Sequence, residues 1–472
     1  MNEDPLALLP EAVLLAGAVA TLLAGAFLPR TRQWLARVLA VAALVGTVAA
    51  AVVAAGGPHR TVYGHSYALD AATSTARLLV PAAALLVVAM AVGRVAGSAR
   101  ETEFYVLVLL SSLGAVVLAG ASDLLLLAVG YLLASIPLYG LAGWGRDRRG
   151  AEGALKLYLL GVLLGIGMLA GVAVLYGVGG ATDYDRLAAG LDGAPPVAVA
   201  VGVVAVLGGL LFKMGAVPAH FWVPDAVQGA TVPAAAVLTT IPKIGGLLAA
   251  YRLLVAVPDR VVAWPVLLAV VAAVTMTLGN FAAFGQSDPA RLLAYSTISQ
   301  VGYLLMAVAV AGRSDRALPA LLVYLVGYTV TNLGAFAVLA AEPRNSLDGY
   351  RGLAARRPGL AGALVVCLLG LVGTPPTAVF AGKLSVFVVA WDGGMAWLVA
   401  VAAVNTVASL FYYLRWLVPA FSAEPGPPGR LPAVAPARRS TGWVAVVGAT
   451  AAVVVVVVAA PLYQGVQDVL VR

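Results

Sequence analysis

Apolar runs of about twenty residues follow one another along the chain, separated by short polar or arginine-bearing stretches. A helix needs roughly 20 apolar residues to cross a bilayer core. The runs predict fourteen spans: 8–28, 35–55, 72–95, 104–121, 123–142, 155–177, 197–217, 234–257, 262–284, 295–311, 318–341, 360–391, 396–420 and 442–463. Two of these are irregular. The seventh runs on past Pro218 into a mixed segment that also holds Pro224 and Pro233. The twelfth is about 32 residues long, too long for one straight crossing, and contains Thr374, Pro375 and Pro376. Pro218, Pro375 and Pro376 are therefore read as helix breaks. A helix interrupted at membrane depth leaves backbone groups unpaired, so it must face protein or a wet cavity rather than lipid.

The fold class that follows is an all-α integral membrane protein, a single polytopic domain over residues 1–472. Composition agrees: 62% of residues are hydrophobic and 11% charged, which excludes a soluble globular domain. The acidic start Met1-Asn2-Glu3-Asp4 lacks the basic region of a cleavable signal peptide, so the first run is read as a retained helix. Cys367 is the lone cysteine and cannot form an internal disulfide or a multi-thiolate metal site. The net charge of +8 is spread over short loops, where topology explains it better than a nucleic-acid partner does.

With the N-terminus placed outside, 18 basic residues fall on the cytoplasmic side. Eight fall on the other: Arg60, Arg77, Arg186, Arg252, Arg260, Arg313, Arg316 and Arg472. That bias predicts both termini outside. It also makes the seventh and twelfth spans, five apart, cross in opposite senses. Inverted repeats with discontinuous helices have this form and place ion sites at the breaks. The expected division is 1–100 (helices one to three), 104–257 (first five-helix repeat), 262–420 (second repeat) and 442–463 (last helix). The Pro-rich stretch from Glu424 to Pro436 is read as a linker.

The three basic residues left over from the 29 are all lysines and lie within or beside apolar spans: Lys213, Lys243 and Lys383. The chain has only 4 lysines against 25 arginines, so the placement carries chemical content. Arginine keeps its proton in a protein, whereas a desolvated lysine can release one. Lys243 sits about ten residues inside its span, where a lysine costs roughly 2.5–3.5 kcal/mol to insert. It is read as a proton site or as a cap on helix carbonyls. Lys213 stands toward the cytoplasmic end of its run and either snorkels or belongs to a helix that continues beyond. Lys383 lies in the second half of a broken helix, seven residues after Pro376. His220 is either a proton relay, since imidazole titrates near neutral pH, or a tie within the loop. Asp225 is read as satisfying loop amides, Phe221-Trp222 as an interfacial anchor, and His59 and His65 as solvated. No metal-ligand spacing, phosphate loop or nucleophile–base set is present in the sequence.

At this point the residues become specific. LLFKMGAVPAHFWVPDAVQGATVPAAAVLTTIPK (210–243) and GNFAAFGQSDPARLLAYSTISQVGYLLMA (279–307) closely resemble the antiporter-like membrane subunits of respiratory complex I. GTPPTAVFAGKLSVF (373–387), NTVASLFYYLR (405–415) and EFYVLVLLSSLGAVVLAGASDLLLL (103–127) favour the subunit N branch. The resemblance implies a proton-translocating subunit of NADH–quinone oxidoreductase. In that family two inverted five-helix repeats form half-channels joined by a central row of titratable residues. It carries Lys213 over as the lysine of the first broken helix, Lys243 as the central lysine, and Lys383 as the lysine of the second broken helix. It implies no redox chemistry and no cofactor on this chain, with NADH, flavin, iron–sulfur clusters and quinone held by partner subunits. It implies a multi-pass location in the bacterial cell (inner) membrane, with other complex I membrane subunits as partners.

One position departs from the family. Its fifth helix usually carries a glutamate in a segment like GLELLSLPLY. Here the segment is GYLLASIPLY (130–139), and Leu132 stands at the glutamate position. That carboxylate would pair with the lysine of helix seven; without it, burial favours a neutral amine. Two other readings therefore stay open: a subunit of a multi-subunit sodium/proton antiporter, and a divergent scaffold paralogue that does not pump.

Overall fold

A computed structural model describes residues 4–423 and 439–465. The linker 424–436, Arg430, Arg438 and Arg472 lie outside the described residues. The first helices are α1 (Leu9–Phe27), α2 (Trp34–Ala55), α3 (Ala71–Val95), α4 (Glu101–Gly120), α5 (Leu124–Ala142) and α6 (Arg148–Gly179). Between α2 and α3 lies an antiparallel hairpin, β1 (Arg60–Val62) with β2 (Tyr67–Leu69), in the register Arg60 to Leu69. A short helix, α7 (Tyr184–Asp192), leads to α8 (Pro196–Met214), α9 (Trp222–Gly229) and α10 (Val232–Ala256). The second half comprises α11 (Trp264–Phe284), α12 (Pro289–Ala309), α13 (Ala317–Ala341), α14 (Leu353–Arg356), α15 (Pro358–Val372), α16 (Ala378–Asp392) and α17 (Ala396–Phe421), before the final α18 (Arg439–Gly465).

Aspartates start many of these helices. Asp70, Asp123, Asp147, Asp183 and Asp288 each accept backbone N–H groups at the head of α3, α5, α6, α7 and α12. Each satisfies donors that a helix leaves unpaired in its first turn. This accounts for carboxylates at span ends.

Among the described residues, twelve helices are long and apolar enough to cross a membrane. They match the expected spans one to eleven and thirteen. The expected twelfth is split into α15 and α16, and the expected fourteenth lies in α18, whose described apolar part is Gly442–Val457. The sequence did not predict the hairpin.

Helices α10, α12 and α13 are almost wholly enclosed, whereas α1, α2, α6 and α17 are mostly open to their surroundings. Lipid tails give helices little hydrophobic reason to associate, so close packing over small residues does the work. Gly245 of α10 lies against the Ala115 backbone of α4, and Gly302 of α12 lies against Met276 of α11.

Two arginines counted as outside charges are not solvated. Arg77 is buried and paired with Glu11 (Nε–Oε1 2.7 Å), which also accepts from Tyr67 Oη at 2.6 Å. Arg252 is buried and forks onto Asp70 at 2.7 and 3.0 Å, with Ala119 O also accepting. The acids sit in α1 and at the cap of α3, and the fold turns both inward. His59 and His65 are exposed, as expected.

Candidate functional site: buried lysines at two helix breaks

The two breaks share one construction. Helix α8 ends at Gly215, whose φ is +79°, and α15 ends at Gly373, whose φ is +92°. Three residues after each glycine stands a proline, Pro218 and Pro376, preceded by a cis peptide bond. Side chains rarely adopt such positive φ. At Gly373 a lysine fills the space where a side chain would go; at Gly215 it is Val223, whose Cγ2 a Cβ would meet at 2.6 Å, with a lysine in contact behind it. A Cβ on Gly215 would meet Lys243 Nζ at 3.8 Å, and one on Gly373 would meet Lys383 Cδ at 3.0 Å.

Lys213 lies in the last turn of α8, and the helix does not continue past Met214. It does not snorkel either, being only 2% exposed. Its ammonium donates to Tyr131 O at 3.3 Å and to Ser135 Oγ, both on α5. Leu132 is 43% exposed on the outward side of that helix. A neutral hydroxyl and a carbonyl hold Lys213 where the family pattern has a carboxylate. Glu152, at the start of α6, is exposed and pairs with Lys156, so it does not supply the missing carboxylate.

Lys243 is fully buried and donates to Leu238 O at 2.6 Å. That carbonyl is free because Pro242, four residues on, has no N–H to offer it. The capped carbonyl thus belongs to the lysine's own helix, not to a neighbour. Lys383 is 3% exposed and donates to Val372 O (2.9 Å) and Leu371 O (3.4 Å) at the end of α15. Those carbonyls have no partner within a helix that stops there, and the helix C-terminus favours a cation.

Polar groups lie between the lysines. One turn before Lys243, Thr239 takes Asn332 Nδ2 on its hydroxyl (3.0 Å) and Tyr328 Oη on its carbonyl (2.6 Å). Tyr328 Oη also donates to Thr297 Oγ1 at 3.2 Å. One turn further along α12, Gln300 donates to Leu371 O at 2.7 Å, the carbonyl that Lys383 also touches. Tyr324 Oη donates to Gln300 Oε1 at 2.6 Å. On the far side, Tyr303 Oη accepts from Thr406 Oγ1 at 3.2 Å, and Asn280, Asn405 and Tyr412 form a further cluster. Sequence reading missed these groups. The usable signal was a set of uncharged amides and hydroxyls in otherwise apolar spans, Gln300 and Asn332 above all.

His220 is buried in the first break with no partner on Nδ1. It lines a cavity of about 510 Å³ together with Lys156, Phe221, Asp225, Arg291 and Tyr295. Two expectations fail here. Asp225 does not serve loop amides; it pairs with Lys156 Nζ (2.7 Å) and Arg291 Nη1 (2.6 Å), which the packing of α9 against α6 and α12 brings to it. Trp222 is not an interfacial anchor. It is 1% exposed, and its Nε1 donates at 3.0 Å to Phe212 O in the last turn of α8, which Gly215 N–H also reaches, while Phe221 beside it is 64% exposed.

A many-helix membrane protein with two broken helices, and lysines buried at the breaks without counter-ions, is built like an ion-translocating antiporter-type subunit. The family profile described as NADH:quinone oxidoreductase/Mrp antiporter, TM, matches residues 121–409. The chain is 56% identical over 437 residues to NADH-quinone oxidoreductase subunit N 1 of Streptomyces griseus subsp. griseus, covering 91% of this chain and 93% of that one. It is 54% identical over 465 residues to NADH-quinone oxidoreductase subunit N of Mycobacterium sp. (strain JLS), covering 98% of both. Among solved structures, a chain of respiratory complex I from Thermus thermophilus with bound aureothin matches with a TM-score of 0.80 and 31% identity, over 96% of this chain and 98% of that one. The chain belongs to the family of NADH-quinone oxidoreductase subunit N.

Proposed function

We propose that this chain couples quinone reduction in neighbouring subunits of NADH–quinone oxidoreductase to proton translocation through Lys213, Lys243 and Lys383. The observation that carries the reading is the set of three enclosed amines with neutral partners, with hydroxyls and amides lying between Lys243 and Lys383. A buried ammonium without a counter-ion holds its proton weakly. A charge change at one end of the row then moves protons along it. His220, beside the cavity, is the uptake residue of the first half. NADH, flavin, iron–sulfur clusters and quinone belong to partner subunits, and this chain holds none of them. The chain lies in a bacterial cell membrane with both termini outside, and residues 104–257 and 262–420 act as the two inverted repeats.

Leu132 favours a second reading, a scaffold that no longer pumps. The two separate on protons translocated per NADH oxidised in inverted membrane vesicles. Lys213→Ala is expected to lower that ratio while NADH oxidation by an artificial acceptor is unchanged. Leu132→Glu is expected to shift its pH dependence by adding a carboxylate near Ser135. An unchanged ratio in Lys213→Ala, with no response to Leu132→Glu, would establish the scaffold.

A further inference from the structure

Each lysine of the row rests on the face of one aromatic ring. Lys213 Nζ lies 4.5 Å from the Tyr131 ring centre, Lys243 Nζ 4.8 Å from Trp222, and Lys383 Nζ 4.1 Å from Tyr303. The rings come from three different helices, α5, α9 and α12. The hydrogen-bond acceptors of the three amines are all neutral oxygens. A cation is drawn to the electron-rich face of a ring, most strongly where water is excluded.

We infer that Tyr131, Trp222 and Tyr303 are positioning residues that stand in for counter-ions, their ring faces holding the ammonium form of each lysine. The inference rests on the translocation reading above and adds a device to it. A carboxylate would bind the loaded lysine as a salt bridge that must be broken when the proton leaves. A ring carries no net charge, so it favours the loaded state without trapping it. This also explains how Lys213 is held where Leu132 replaces an acid.

Lys383 gives the cleanest test. The titratable groups contributed by the elements around α16 are Arg291, Tyr295 and Tyr303 (α12), Tyr324 and Tyr328 (α13), Cys367 (α15), and Tyr412, Tyr413 and Arg415 (α17), with Asp392 at the end of α16 itself; the described side chains of α18 add none. The charged groups among these are engaged elsewhere: Arg291 pairs with Asp225, Arg415 donates to Phe284 O and Asp392 is exposed, while Lys383 Nζ donates only to Leu371 O and Val372 O.

The experiment uses the whole complex in inverted membrane vesicles and follows protons translocated per NADH oxidised against pH. Tyr303→Leu is expected to move the alkaline limb of the profile about one pH unit to lower pH, the size of a desolvated cation–ring contact. Tyr303→Phe keeps the ring and loses the hydroxyl, and should retain the wild-type profile. The same pair of changes at Tyr131 tests Lys213, and decides the matter if Tyr303→Leu does not assemble. A wild-type profile in the Leu variants, or one shared profile for Leu and Phe variants, overturns the inference. Lys383→Ala is run alongside. If it stops pumping while Tyr303→Leu leaves the profile unmoved, only the role of the rings falls. If Lys383→Ala pumps normally, the translocation reading falls with it.

Discussion

Lys243→Arg is expected to assemble normally and to stop proton transfer through this chain. Arginine keeps the charge, and its fork can still reach the Leu238 carbonyl freed by Pro242. It cannot give up its proton. The row then carries a fixed charge between Lys213 and the polar groups that lead to Lys383. A positioned proton-transfer group contributes at least about a hundredfold to rate, so transfer through this chain should fall by about that much or more. Protons translocated per NADH oxidised in vesicles measure the loss, with artificial-acceptor rates as the control for intact electron input. Lys243→Met should lose translocation equally, for the opposite reason: it has no charge to carry. If the arginine variant pumps at the wild-type ratio, Lys243 is a structural cation, and the capping role describes it fully.

The second large effect concerns stability. Arg252 joins α10 to the cap of α3 through Asp70 and to α4 through Ala119 O. Both partners are buried. Asp70→Asn keeps a side chain able to cap α3 but strands a guanidinium without its counter-charge. Breaking a buried pair from one side costs about 3–5 kcal/mol. The expected result is a sharp fall in the amount of this subunit in the purified complex and in the temperature at which it dissociates. Adding Arg252→Met to Asp70→Asn should recover most of the loss, because the stranded charge is then gone. A single Asp70→Asn variant as stable as the parent would show that the pair contributes little, and a double variant no better than the single would show that the loss comes from elsewhere.

The lysine row was readable because cost exposes it. An amine in an apolar run must be compensated, and the chain places all three of its deep amines beside segments that cannot stay helical. Pro218 and Pro376 marked those segments, although the helices end earlier, at Gly215 and Gly373, where only backbone conformation decides. The partners of the amines were not readable. Tyr131, Ser135 and Trp222 read as ordinary residues of apolar helices, and nothing local tells that the Trp222 indole donates inward to the Phe212 carbonyl. Asp225 reads as a loop residue because its two cations, Lys156 and Arg291, are 69 and 66 positions away. Arg77 and Arg252 read as outside charges because hydropathy cannot tell a basic residue facing water from one facing an acid.

By itself the sequence determined the helical membrane class, the approximate spans, the two interruptions and the kind of residue that could exchange protons there. The reason is local: bilayer thickness sets segment length, proline removes a donor, and an enclosed amine is costly wherever it stands. The tertiary structure alone decided what each amine touches. Rings, freed carbonyls and hydroxyls from distant helices converge on Lys213, Lys243 and Lys383, and their positions follow from how closely α4, α10, α12 and α13 pack, which no stretch of chain encodes alone.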